Sequence, residues 1–369
     1  MIYKRLLLSI ILLLFLSPAT TFAQDRSITS TIHPVGMAVR TFHDTSRMNW
    51  QGTASRPLET VLWYPAEKTA NEDTVFVGPP NQPLFIAGMA ARETEISSAL
   101  PKYPLVLLSH GTGGSALQMM WLGSYLAAHG YIVAAVNHHG NTAAEKELSP
   151  QGFVLWWERS EDISTVLDKL LTDSLLGSHI NKGQIGAAGF SLGGYTVISL
   201  AGGLTNRKAF NAFCNSGVHP ACQPPPEYPA LLKDFKQIKD NSRVQASLRH
   251  SNDSYRDKRI EAVFALAPAL GGAFTDAGLT PIDIPAYIIA GRSDTIAPIS
   301  TNAMRFAKGI KEATLVVLPG VRHYTFLAPC TKAGEQRLPF VCKTKNDANR
   351  VAIHRRINKR ALLFFNRVL

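Results

Sequence analysis

From about residue 103 onward, short runs of apolar residues alternate with longer stretches in which apolar residues recur at helical spacing. Residues 104–109, 132–136, 185–188, 261–266, 286–290 and 314–318 read as strands. Residues 119–128, 159–171 and 192–201 read as helices, the second with Ile163, Val166, Leu167 and Leu170 on one stripe. A strand that is apolar throughout must be covered on both faces. The alternation therefore predicts an α/β fold, a mostly parallel central sheet with helices on both sides. Before residue 100, the segments 37–42 and 59–63 read as strands of an antiparallel edge.

The chain has 369 residues, 46% apolar and 18% charged, which excludes intrinsic disorder and coiled coil. No repeat of 20–50 residues is visible, which excludes a solenoid. The length admits two domains, but one large α/β domain over residues 24–369 accounts for the pattern. A single interval breaks the rhythm. Residues 204–258 hold no core strand, only polar turns and the run Pro224-Pro225-Pro226. Connections in such folds usually take about two to six residues, so this interval is expected to be a lid or cap insertion.

The first 23 residues have the layout of a signal peptide. Lys4 and Arg5 precede the apolar run from Leu6 to Leu16, and Thr21-Phe22-Ala23 offers small residues at a cleavage site. Cleavage before Gln24 is expected, and export to the periplasm or the medium with it. The run is short of the roughly 20 apolar residues that span a bilayer, and no later stretch is long enough, so stable membrane insertion is not expected. The net charge is +11. That surplus favours anionic surfaces, but no basic run is interleaved with aromatics as in a nucleic-acid reader, so no nucleic-acid partner is expected. The basic cluster His354-Arg355-Arg356 with Lys359-Arg360 lies beside Ile353, Ile357, Ala361, Phe364 and Val368 at helical spacing, and reads as the solvated face of a C-terminal helix.

Export changes what the cysteines mean. Cys214, Cys222, Cys330 and Cys342 are even in number and form two local pairs, so disulfides Cys214–Cys222 and Cys330–Cys342 are expected. A zinc site would want closer spacing with histidine nearby, and redox catalysis would want Cys-x-x-Cys. Neither pattern is present.

Gly189-Phe190-Ser191-Leu192-Gly193 matches G-x-S-x-G, and it stands between an expected strand and an expected helix. That is the setting of a nucleophile elbow, where Gly189 and Gly193 permit a turn too tight for side chains and the strain presents Ser191 Oγ at the sheet edge. A serine hydroxyl is a weak nucleophile at neutral pH and needs a base, which in turn needs an orienting acid. In this setting the chain order is Ser, then acid, then His. Asp294 follows the strand 286–290 and His323 follows the strand 314–318, so both share the carboxyl edge with Ser191. Asp276 and Asp283 precede a strand and fall on the opposite edge. His138 and His139 precede the nucleophile, and His110 is followed by glycines and reads as a loop-shaping residue. His129, His179 and His250 lie at helix ends or in polar loops and read as solvated.

An oxyanion hole takes one N–H from the residue after the nucleophile, here Leu192. The second is expected from the loop His110-Gly111-Thr112-Gly113-Gly114, at Thr112.

With SHGTGG, GFSLGG, AGRSDTIAP, PGVRHYTFL and ALAPALG, the chain resembles the α/β-hydrolase superfamily over roughly residues 35–369. More closely it is similar to the bacterial branch grouped with predicted dienelactone hydrolases and platelet-activating-factor acetylhydrolase-like esterases. The resemblance implies triad roles for Ser191, Asp294 and His323, with Thr112 and Leu192 at the oxyanion hole. Two positions depart from those groups. Dienelactone hydrolases use Cys where this elbow has Ser191. Plasma-type acetylhydrolases carry the acid one strand earlier, where Ala267-Pro268-Ala269-Leu270 has no carboxylate. The expected activity is hydrolysis of carboxylic esters by a serine hydrolase, with no metal or organic cofactor. An amidase or peptidase on the same residues is the alternative, and an inactive ligand-binding protein of this fold is a further one. The expected partner is a small-molecule or lipid ester substrate, and the chain is expected to be a monomer. Trp156 and Trp157 suit either an acyl site or buried packing at a helix start.

Overall fold

A computed structural model describes residues 32–343 and 349–369. The expected signal peptide over residues 1–23 lies outside the described residues.

Ten strands form one sheet: β1 (Val35–Met48), β2 (Ser55–Pro65), β3 (Asp73–Val77), β4 (Phe85–Arg92), β5 (Tyr103–Ser109), β6 (Ile132–Val136), β7 (Ile180–Phe190), β8 (Ala262–Leu266), β9 (Ala286–Gly291) and β10 (Ala313–Leu318). Their order is β10-β9-β8-β7-β5-β6-β2-β1-β4-β3. The six strands from β10 to β6 run parallel. β2 pairs antiparallel with both β6 and β1, as expected for the edge. Strands β3 and β4 were not expected. They extend the sheet beyond β1, and Gly88 with three alanines leaves β4 little of the β-branched signal that marks a strand.

Alternate residues of the parallel strands feed two cores. Leu105, Leu107, Val263 and Ala265 point to one, while Val106, Leu108, Phe264 and Leu266 point to the other. This is why the strands are apolar without interruption. Helices Glu158–Leu170 and Leu192–Leu200 cover the first face, and helices Met120–Ala128 and Arg350–Val368 cover the second. Each fully buried Val, Leu or Ile contributes about 1.5–3 kcal/mol.

The chain passes from β5 to β6 on one side and returns to β7 on the other side of β5. Such a reversal opens a crevice at the carboxyl ends of the two strands, the usual place for a ligand in an open α/β sheet. Register aligns those ends: Ser109 pairs with Val136 and Gly189, Phe190 with Leu266, and Gly291 with Leu318.

The interval 204–258 adds helices Arg207–Asn215, Leu231–Ile238 and Ser242–Arg249 and contributes no strand to the sheet. Aromatic edges dock it on the core. Phe210 meets Trp156 with ring centroids 5.7 Å apart, Tyr228 meets Phe153 at 5.0 Å, and Trp157 Nε1–H donates to Ser247 Oγ at 3.0 Å. Both tryptophans are buried, in accord with packing rather than an open acyl site. The C-terminal helix differs from expectation at one residue. His354 is buried and stacked on Trp121 at 3.9 Å, while Arg355, Arg356 and Lys359 are exposed. A hydrogen bond from Nε2–H to the Thr325 carbonyl, 2.9 Å long, satisfies it inside.

Both expected disulfides are formed, Cys214–Cys222 and Cys330–Cys342. The second spans 12 residues just after the segment that carries His323. A loop of that size stabilises by roughly 3 kcal/mol through the unfolded chain. The double variant Cys330→Ser/Cys342→Ser should therefore lose about that amount of unfolding free energy in urea titrations. Equal stability of the wild type with and without reductant would contradict it.

Candidate active site

Ser191 follows β7 and opens the helix Leu192–Leu200 with φ 55° and ψ −116°, a conformation costly for any residue with a side chain. The glycines around it have one reason each. A Cβ on Gly189 would fall on the Gly193 carbonyl, and one on Gly193 would fall on the Ser109 carbonyl. The turn is further held by Ser191 N–H donating to the Leu266 carbonyl at 2.9 Å and Ala269 N–H donating to the Ser191 carbonyl at 3.0 Å.

The three residues expected to act together meet. His323 Nε2 is 2.9 Å from Ser191 Oγ, and His323 Nδ1 is 2.7 Å from Asp294 Oδ2. The other carboxylate oxygen, Asp294 Oδ1, accepts N–H bonds from Ile296 (2.9 Å) and Ala297 (2.8 Å), which fixes the plane of the carboxylate. Phe190 packs against the imidazole with ring centroids 4.9 Å apart. All three residues are buried, and the side chain of Asp294 is fully so. After β8, by contrast, Ala267 and Leu270 have positive φ and brace the elbow, with Pro268 against Gly194.

The loop His110–Gly114 lies beside the serine. A Cβ on Gly111 would stand 3.3 Å from Ser191 Cβ and 2.9 Å from the Phe190 ring. Among the described residues, neither the Thr112 N–H nor the Leu192 N–H has a hydrogen-bond partner. Neighbouring groups are tied down: Gly113 N–H donates to Asn141 Oδ1 at 2.6 Å, and Thr142 Oγ1–H donates to the Gly114 carbonyl at 2.9 Å. From the interval 204–258, Glu227 reaches this loop and accepts a bond from Tyr324 O–H at 3.0 Å. No group of three or more His, Cys, Asp or Glu among the described residues is arranged to hold a metal ion, and no described helix is long and apolar enough to cross a membrane.

A family model described as serine aminopeptidase, S33, matches residues 101–329, a span that contains Ser191, Asp294 and His323. The chain belongs to this family. Its fold is that of an α/β-hydrolase. A ferulic acid esterase from Streptomyces cinnamoneus superposes with a TM-score of 0.61 at 18% identity, covering 94% of this chain and 92% of that one. At that identity the likeness speaks for the fold. Among curated sequences, the cutinase est1 of Thermobifida alba is 23% identical over 229 residues, 62% of this chain and 54% of the cutinase. The platelet-activating factor acetylhydrolase of Cavia porcellus is 26% identical over 136 residues, covering 26% of this chain and 31% of that protein. The chain thus spans about half or less of the length of these relatives.

His138, which chain order excludes as a base, is structural, and His110 shapes its loop as expected. His138 is buried, with Nδ1 2.9 Å from Asp162 Oδ2 and Nε2 2.9 Å from Ser109 Oγ. His110 is buried beside it, ring centroids 5.2 Å apart. His129 and His179 are half-buried rather than solvated, and His250 is exposed as expected. The run Asn137-His138-His139-Gly140-Asn141-Thr142 was the available signal, since so many polar residues directly after an apolar strand need partners.

Burial lowers the pKa of His138 to about 3, helped by the nearby Arg159 cation. Burial likewise lowers His354 to about 3 and takes His110 well below 6.5. These histidines are neutral in the folded state but protonate below 6.5 once unfolded, so unfolding takes up protons as pH falls through that value. Each removes about 1.4 kcal/mol of stability per pH unit in that window. Carboxylates contribute little until pH nears 4.5, so the fall between pH 6.5 and 5 isolates the histidines. Urea unfolding at pH 7.5, 6 and 5 should show stability dropping with an uptake approaching three protons. A flat profile over that range would contradict the neutral assignment.

Proposed function

We propose that this protein is an exported serine hydrolase that cleaves carboxylic esters through an acyl-enzyme on Ser191. The observation that carries the reading is the continuous chain Asp294–His323–Ser191, joined at 2.7 and 2.9 Å beside two unpartnered N–H groups. Asp294 accepts from Nδ1–H and so leaves Nε2 bare to take the serine proton as Oγ attacks the carbonyl carbon. The developing oxyanion is bound by the Leu192 and Thr112 N–H groups. Protonated His323 then gives its proton to the leaving alcohol. A water activated by the same nitrogen releases the acyl group and restores Ser191.

Residues 204–258 act as a lid, docked by Phe210 and Tyr228 and touching the oxyanion loop through Glu227. Export is supported by the charge and apolar layout of residues 1–23 and by two disulfides, which persist in oxidising compartments. The relatives named cutinase and acetylhydrolase favour an ester, short-acyl or lipid. The word aminopeptidase in the family's description makes an amide the second reading. p-Nitrophenyl esters of rising chain length, run beside phospholipid and aminoacyl p-nitroanilide substrates, decide between them.

Ser191→Ala should abolish ester hydrolysis and fluorophosphonate labelling while the protein stays folded. Asp294→Asn should keep the geometry but present the wrong His323 tautomer, costing about 10⁴ in kcat. Labelling of Ser191→Ala, or wild-type turnover by Asp294→Asn, would refute the assignment.

A further inference from the structure

We propose that a second, fully buried Ser–His–Asp chain, Ser109–His138–Asp162, acts with Arg159 and His110 as a positioning device that aims the Thr112 N–H at the reacting oxygen. The proposal rests on the esterase reading of Ser191, because the Thr112 amide matters only if an oxyanion forms beside it.

The polarity of the chain follows from its charged end. Asp162 is fully buried and held by Arg56, with Nε 2.8 Å from Oδ1 and Nη2 3.2 Å from Oδ2, and by Arg47 Nη2 at 2.8 Å. Those cations keep its carboxyl well below the usual carboxylate range, so it only accepts. His138 must then carry its proton on Nδ1, leaving Nε2 to accept from Ser109 O–H. Ser109 Oγ accepts in turn from Arg159 Nη2 at 3.3 Å, and the same Nη2 donates to the His110 carbonyl. The order and polarity match Asp294–His323–Ser191. Ser109 has no exposed surface, however, and one of its lone pairs is engaged by Arg159, so it is no nucleophile.

What the chain holds is the start of the oxyanion loop. His138 backbone N–H donates to His110 Nε2 at 3.2 Å, which puts the His110 proton on Nδ1. That proton goes to the Gly111 carbonyl at 2.7 Å, and Gly114 N–H donates to the same oxygen at 3.1 Å. In a planar trans peptide the C=O and the following N–H point in opposite directions. Pinning the Gly111 carbonyl inward therefore turns the Thr112 N–H outward, on the side where Gly111 meets Ser191. Gly111 has no Cβ to oppose a flip of this peptide. Flipped, it would present a carbonyl dipole to the oxyanion in place of a donor.

Two near-isosteric variants separate the links. His110→Gln keeps an acceptor for the His138 N–H but loses the donor to Gly111. His110→Asn keeps that donor and loses the acceptor. Loss of one oxyanion donor costs about 10²–10³ in kcat, so the Gln variant should fall by that factor with KM little changed. The pH–rate profile should keep its shape, since the base is untouched. The Asn variant should recover at least about tenfold over the Gln variant, a sizeable part of that loss. Equal kcat in the two folded variants, or a Gln variant whose loss comes with a shifted pH profile, would overturn the proposal. If the Gln variant does not fold, Ser109→Ala reads the chain one link back. Its kcat should drop severalfold at constant KM, and an unchanged kcat in the folded Ala variant would overturn the proposal equally. Ser191→Ala is run in parallel: activity there refutes the esterase reading, whereas an inactive Ser191→Ala beside a fully active His110→Gln refutes only the positioning role.

Discussion

The strained backbone of Ser191 is the constraint on which the site depends. A residue at φ 55° and ψ −116° costs of order 1–3 kcal/mol and persists only where its surroundings over-determine it. Here the surroundings are the ends of β5 and β8 on either side of β7. The Ser109 carbonyl lies where a Cβ on Gly193 would stand, and the Leu266 carbonyl and Ala269 N–H take the two backbone groups of Ser191. Moving any of these strands by one register step would break those contacts and flip the strand's apolar faces. Core burial on both faces of the sheet thus maintains a turn that local energetics alone would not.

Once the strand ends are aligned, the rest of the site follows from short reaches. Asp294 stands three residues beyond β9 and His323 five beyond β10, so each loop delivers its side chain without a long excursion. The glycine-rich loop after β5 has more freedom, and the structure spends more hydrogen bonds on it. Asn141, Thr142 and the His110–His138 pair all hold its peptides from below, while Glu227 touches it from above. Two Ser–His–Asp chains of the same polarity therefore stand on neighbouring strand ends. Access distinguishes them: Ser191 keeps 6% of its surface exposed, while Ser109 has none.

Much of this was legible in the residues. The parallel strands, the elbow, the placement of Asp294 and His323 after β9 and β10, and both cysteine pairs each have a local signature: unbroken apolar runs, G-x-S-x-G in a strand–helix setting, a polar residue just past a strand, or close spacing. Other features lack one. Half of β4 is Gly or Ala, and the strand gains its place by pairing with β1 and β3. The helices within 204–258 are short, and the interval that holds them is docked by Phe210 on Trp156 and by Tyr228 on Phe153, contacts between residues far apart in the chain. His354 shares a basic run with Arg355 and Arg356, and only the packing of Trp121 against the C-terminal helix shows that it alone turns inward. Chain order excludes His138 as a base, which bears on catalysis and is silent about structure.

By itself, the sequence determined the fold class and singled out Ser191, Asp294 and His323, because those readings depend on periodicity, turn chemistry and chain order, all of which are local or ordinal. Which polar side chains face one another across the sheet was decided only by tertiary structure. Asp162 lies 106 residues from Arg56 and 24 from His138, and the meeting of all three depends on how the helix Glu158–Leu170 lands on the strands. A buried charge is tolerated only with its partners in place, and those partners come together only when the chain is packed.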